Sequence, residues 1–176
     1  HVSLKETEHI MHFIKYTAEE LYAYQNKLKH EGSTDELTGL YNRRVLNLEI
    51  DNLLKITNEG MHTYLAIIDL DYFKEINDMH GHDVGDDILK ILSAALIDTS
   101  RSADICTRSG GDEFIVLLMD YDIHQVEQWY ENLTDYMNKN IKKYSCENNI
   151  EINFGISVGC TLIKDDDMKS TVLKRA

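Results

Sequence analysis

Arg108-Ser109-Gly110-Gly111-Asp112-Glu113-Phe114 runs directly into Ile115-Val116-Leu117-Leu118-Met119. Two consecutive glycines permit a tight turn that residues with side chains resist. The β-branched and aliphatic run after them reads as a buried strand. Strands over 104–108 and 113–119 would then flank the turn as a hairpin. Adjacent carboxylates beside such a turn are costly to desolvate unless a cation neutralises them. Two readings follow. One is a Mg²⁺ site that handles phosphates. The other is a surface hairpin with solvated acids, the common fate of short motifs.

A second acidic stretch favours the first reading. The apolar run Tyr64-Leu65-Ala66-Ile67-Ile68 ends at Asp69-Leu70-Asp71. Tyr72-Phe73-Lys74-Glu75-Ile76-Asn77-Asp78 and then Gly81-His82-Asp83-Val84-Gly85-Asp86 follow. A carboxylate at the end of a buried strand points beyond the sheet edge. If the two strands are neighbours, Asp69 and Asp112 or Glu113 can converge on one divalent ion. Mg²⁺ favours such a set, with one or two carboxylates, water and substrate phosphates. Lys74 would give those phosphates a cation; taken singly, it reads as a solvated surface lysine.

Composition narrows the function. The 176 residues suit one domain plus an extension, with chain enough for a sizeable core. A formal charge of −13 argues against nonspecific nucleic-acid binding. It also means that an anionic nucleotide would need metal ions or a local cationic pocket. No apolar run approaches the ~20 residues of a membrane span, so no membrane contact is expected from this segment. No signal-peptide pattern is visible, and the natural start can lie upstream. Cys106, Cys146 and Cys160 fit neither a zinc spacing nor a disulfide framework. Buried small-hydrophobe roles are expected for all three, and a cytoplasmic setting is the simplest.

Periodicity orders the elements. Residues 4–30 read as one helix in which Met11, Ala18 and Gln25, and Ile14, Leu21 and Leu28, form a heptad seam. It reads as a coiled-coil stalk, or else as an amphipathic helix packed on its own domain. Gly32-Ser33-Thr34-Asp35 breaks it. Helices are predicted over 42–58, 73–79, 84–98 and 123–143, with a last helix beginning near Lys169. On the fourth of these, Val126, Trp129, Leu133, Met137 and Ile141 share a face. Strands are predicted over 63–69 and 150–163, the latter from the alternation of Ile150, Ile152, Phe154, Ile156 and Val158. This order implies an α+β fold, helices over a mainly antiparallel central sheet.

Four segments in order carry a family resemblance: Asp35-Glu36-Leu37-Thr38-Gly39-Leu40-Tyr41-Asn42-Arg43-Arg44, Asp69–Asp78, Gly81–Asp86 and Arg108–Phe114. The chain resembles the GGDEF domain, the diguanylate cyclase family. The resemblance implies a palm-like nucleotidyl cyclase fold over 33–176, with 1–32 as an N-terminal signalling helix. It implies a nucleotidyltransferase that condenses two GTP into cyclic di-GMP, releasing pyrophosphate, with Mg²⁺ or Mn²⁺ as cofactor. It further implies a homodimer, driven by an upstream sensory domain.

Residue by residue, the resemblance makes Asp69, the Leu70 carbonyl, Asp112 and Glu113 the metal ligands, with Asp112 and Glu113 catalytic. Phe73 and Lys74 would receive the β- and γ-phosphates. Asn77 and Asp86 would read the guanine edge, whose donors a carboxylate accepts. His82 would lie near the nucleoside or serve only to order its loop. Arg101-Ser102-Ala103-Asp104 matches the family's inhibitory product site; outside that context it would be a local surface pair of little worth.

The resemblance fails at one end. The family continues with a helix reading roughly Ala-Asp-x-Ala-Leu-Tyr-x-Ala-Lys and then Gly-Arg-Asn, whereas Leu173-Lys174-Arg175-Ala176 matches only its opening. The domain is therefore expected to be C-terminally incomplete, and the fragment to bind GTP weakly. The alternative function is a non-catalytic GTP- or cyclic di-GMP-binding module that acts through partner contacts. Intact Asp69, Lys74, Asp112 and Glu113 argue against it.

Overall fold

The computed structural model describes residues 32–55, 62–164 and 167–176. The expected stalk over 1–32 lies almost wholly outside them. The chain divides into two compact units, His1–Thr34 and Asp35–Ala176, and the second carries the fold.

Five strands form one mixed sheet in the order β1-β3-β4-β2-β5. They are β1 (Tyr41–Asn42), β2 (Tyr64–Asp71), β3 (Ile105–Gly110), β4 (Glu113–Leu118) and β5 (Gly155–Leu162). β1 runs parallel to β3, and the other three pairings are antiparallel. The helices are α1 (Arg43–Leu53), α2 (Phe73–His80), α3 (His82–Thr99), α4 (Ile123–Asn148) and α5 (Lys169–Arg175).

Strand alternation divides the core in two. Ala66, Ile68 and Leu70 of β2 join Phe114, Val116 and Leu118 of β4 on one face, under Ile88, Leu92 and Leu96 of α3 and the predicted stripe of α4. Leu65, Ile115 and Leu117 face the other way, under Leu46 and Ile50 of α1 and Val172 of α5. Both central strands are thus covered on both faces, so 114–118 reads as a continuous apolar run. Trp129 is buried as expected, and its Nε1–H donates to Ser100 Oγ at 3.2 Å.

Several boundaries differ from the sequence reading. The last strand starts at Gly155, not 150, because its partner β2 ends at Asp71, which pairs with Gly155. Ile152 and Phe154 alternate without a ladder, and still pack on the larger core. α4 runs on to Asn148 and stops where Asn149 takes left-handed angles (φ 53°). α1 starts one residue late, since Asn42 caps it by accepting from Arg44 and Val45 N–H. Of the three cysteines, Cys106 is half-buried while Cys146 and Cys160 are exposed. Cys146 lies off the buried stripe of α4, and Cys160 sits on the edge strand β5.

Candidate active site

The hairpin places the acids. Gly110 and Gly111 both take positive φ, 153° and 55°, and a register shift between Arg108 and Gly110 absorbs the turn. Glu113 then begins β4 directly opposite Asp69 on β2. The sequence asked whether these strands were neighbours; they are, over six paired positions. Ile68 and Leu70 bury to either side of Asp69, so period-2 alternation turns its carboxylate out of the larger core.

The same acids act on one another through their charge. Asp69 is held above the ordinary carboxylate range, first by partial desolvation at its strand, then by the negative charges of Asp112, Asp71 and Glu113. Asp71 is otherwise engaged. It accepts from Ser157 Oγ–H at 2.7 Å, and a Cβ on Gly155 would lie 2.6 Å from its Oδ2.

Among the described residues, no three His, Cys, Asp or Glu side chains form a preformed metal cage. The donor set is instead two or three mutually repelling carboxylates, with the Leu70 side chain buried so that only its backbone is available. Hard oxygen donors short of a full shell suit Mg²⁺, which keeps water and substrate phosphates as its other ligands. The residues present therefore fit such an ion.

Beside the acids, β2 turns sharply into α2. Tyr72 makes the corner in a left-handed conformation (φ 62°), an uncommon state for a large side chain. Phe73 and Lys74 consequently open α2, where backbone N–H groups lack helical partners. Lys74 is exposed, as is His82 at the start of α3. Gly81 (φ 90°) joins the two helices.

The α2–α3 crossing brings Asn77 and Phe73 against Gly85. A Cβ on Gly85 would collide with the Asn77 carboxamide oxygen and would sit 3.3 Å from Phe73 Cζ. Asn77 thus lies over a floor that only glycine leaves open, next in sequence to Asp86.

One cluster was not foreseen. Arg108 Nη1 donates to Asp35 Oδ1 at 3.0 Å, while its Nε and Nη2 donate to the Gly111 carbonyl at 2.9 and 2.7 Å. Asp35 also accepts from Thr38 N–H and Oγ1–H. The 35–40 loop and the glycine turn are thereby clamped to one guanidinium. An arginine just before two glycines, and an Asp three residues before Thr, were the available signals.

Arg101 and Asp104 do come together, on one wall of a cavity of about 490 Å³ that Tyr41, Ile97 and Cys106 also line. Asp104 N–H donates to the Arg101 carbonyl, and Arg101 N–H donates back to Asp104 Oδ2. The Arg101 guanidinium lies 4.0 Å over the Tyr121 ring. A larger hollow of about 660 Å³ lies between the end of α4 and residues 149–154, away from all the predicted site residues. Among the described residues, no helix is long and apolar enough to cross a membrane.

Known proteins resemble this chain in sequence and fold. A family model described as "Diguanylate cyclase, GGDEF domain" matches residues 32–176. Response regulator PleD of Caulobacter vibrioides is 34% identical over 158 residues, covering 86% of this chain and 34% of PleD. Diguanylate cyclase DosC of Escherichia coli is 35% identical over 140 residues, covering 79% of this chain and 30% of DosC. The chain thus spans about a third of the length of these relatives. Among solved structures, diguanylate cyclase SiaD of Pseudomonas aeruginosa, in complex with its activator SiaC, superposes with a TM-score of 0.77 at 27% identity. That match covers 98% of this chain and 66% of SiaD.

Proposed function

The chain belongs to the diguanylate cyclase GGDEF-domain family, and on that premise we propose that its protein condenses two GTP molecules into cyclic di-GMP. In each half-reaction the ribose 3′-hydroxyl of one nucleotide attacks the α-phosphorus of the other. The O3′–P bond forms, the bond to the β-phosphate oxygen breaks, and pyrophosphate leaves. The hydroxyl proton passes to solvent or to a nearby carboxylate. Such chemistry is mainly positioning and charge stabilisation.

The observation that carries the reading is Asp69 standing opposite Glu113, under the charge of Asp112. Asp69, Asp112, Glu113 and the Leu70 carbonyl would hold Mg²⁺ or Mn²⁺. The ion would supply Lewis-acid polarisation of the phosphate and a more acidic hydroxyl. Asp112 and Glu113 would help the attacking hydroxyl lose its proton. Phe73 and Lys74 receive the terminal phosphates at the start of α2. Asn77 and Asp86 take the guanine edge, with His82 beside the nucleoside. Two such domains must face each other, since each holds one GTP, so the active unit is a homodimer. Residues 1–32 would form the stalk that links it to an upstream sensory domain, and residues 33–176 the catalytic domain. Arg101 and Asp104 are the product-inhibition site.

Incubating the full-length protein with GTP and Mg²⁺ tests the reading. Cyclic di-GMP forms, and Asp112→Ala abolishes it. No dinucleotide from a concentrated preparation that binds GTP would leave the non-catalytic module as the function.

A further inference from the structure

Asp104 already serves three donors. Its Oδ2 accepts from Arg101 N–H at 2.7 Å and from Tyr121 Oη–H at 2.8 Å, and its Oδ1 accepts from Met119 N–H at 2.9 Å. A carboxylate offers about four lone-pair positions, two on each oxygen. Oδ2 therefore already carries two donors and Oδ1 one, so a new donor on Oδ2 competes with those in place. A guanine edge presents two donors side by side, N1–H and N2–H, and a fork of that kind needs an acceptor on each oxygen.

Two of the three resident donors are backbone N–H groups. Arg101 N–H belongs to the turn that it closes reciprocally with Asp104. Met119 follows directly on β4. Neither can leave without unmaking local backbone structure. The third is a side-chain hydroxyl, which a tilt of the Tyr121 ring can carry off Asp104. Tyr121 is 3% exposed, and its own N–H donates to the His62 carbonyl at 2.9 Å, so its backbone is anchored and its ring stays packed beneath the guanidinium. Burial and the Asp104 charge both hold the phenol protonated, as a donor.

We propose that Tyr121 is a positioning residue of the product-inhibition site, its ring the floor for the Arg101 guanidinium and its hydroxyl a plug on Asp104 that a bound guanine must displace. This rests on Arg101 and Asp104 binding cyclic di-GMP, as read above. The floor and the plug are separable. Tyr121→Phe keeps the ring under the guanidinium and removes only the competing donor. Tyr121→Leu removes both.

The test is calorimetric titration of cyclic di-GMP into the full-length protein, with Arg101→Ala to assign the binding to this site. Tyr121→Phe is expected to bind about 3- to 10-fold more tightly than the wild type, the worth of one released hydrogen bond. Tyr121→Leu is expected to bind more weakly than Tyr121→Phe. A merely structural role would move affinity the other way, since damage loosens a site. If the wild type binds and Arg101→Ala does not, but Tyr121→Phe binds equally or less tightly, Tyr121 is no plug and the inference fails alone. If the wild type shows no binding that Arg101→Ala removes, the inhibitory-site reading fails and the inference with it. Should the variants not fold, a structure of the wild-type complex decides. Both guanine donors on Asp104 with Tyr121 Oη moved out of hydrogen-bond reach of it would support the inference. Both donors on Asp104 with the 2.8 Å Tyr121 contact retained would overturn it.

Discussion

Arg108 and Asp35, 73 positions apart in sequence, meet at 3.0 Å with their side chains largely covered. The same guanidinium grips the Gly111 carbonyl, so the loop that leads into β1 and the turn that carries Asp112 share one anchor. Charge-assisted, multidentate bonds of this kind fix geometry as well as adding energy. Arg108→Ala should destabilise the domain by about 1–3 kcal/mol, read from urea unfolding. Turnover should fall further than this loss explains, because the glycine turn loses its brace.

Asp35 gives that anchor a pH signature. Desolvation works to raise its carboxyl, but bonds from Thr38 and Arg108, with the Arg108 charge, prevail and hold it below the ordinary range. The stabilisation is thus full above the unfolded carboxylate value and lost as pH falls through the lower folded one. Acid unfolding of Arg108→Ala should begin at a higher pH than in the wild type. Coincident acid limbs in a circular-dichroism titration would contradict the clamp.

Asp69 behaves in the opposite sense. Its raised folded value means that the metal-free domain loses stability as pH climbs from the unfolded carboxylate value through the folded one. Neutralising it should relieve repulsion. Asp69→Asn should raise the thermal midpoint of the metal-free domain while abolishing product formation, the usual conflict between stability and a charged site. Mg²⁺ should raise the midpoint of the wild type and leave that of Asp69→Asn nearly unmoved. Differential scanning fluorimetry with and without Mg²⁺ reads both effects.

Gly85 separates fold from recognition. Alanine gains about 1 kcal/mol of helix propensity over glycine in a helix interior. Its Cβ, however, would strike the Asn77 carboxamide, the end of a movable side chain. Gly85→Ala should therefore leave the thermal midpoint within a few degrees. It should weaken GTP binding about tenfold or more through the displaced amide, roughly one lost polar pairing. Equilibrium binding of a fluorescent GTP analogue would show it.

The sequence carried the architecture where periodicity was strong. The α4 stripe from Val126 to Ile141 is buried residue for residue, and β2 and β4 pair as the acid ends required. It misled where pattern outran pairing. Ile150, Ile152 and Phe154 alternate like a strand, yet β2 has no residue left to pair with them. Hydrophobicity alone predicts buried Cys146 and Cys160, whereas a helix face and a sheet edge expose them. At the site, the acids and the residues of α2 and α3 were legible as local motifs. The Arg108–Asp35 clamp and the Tyr121 contact were not, because each joins segments that only the folded sheet brings together.

Asp69 and the glycine-turn acids are proposed as the centre of a two-GTP condensation. Its most direct test is chromatographic analysis of the products formed from GTP and Mg²⁺ by the full-length protein, beside Asp69→Asn and Asp112→Ala. Cyclic di-GMP and pyrophosphate in a one-to-two ratio from the wild type, with neither from the variants, is the predicted result. Dinucleotide formation that persists in both variants, or a wild type that binds GTP and never joins two, would contradict it.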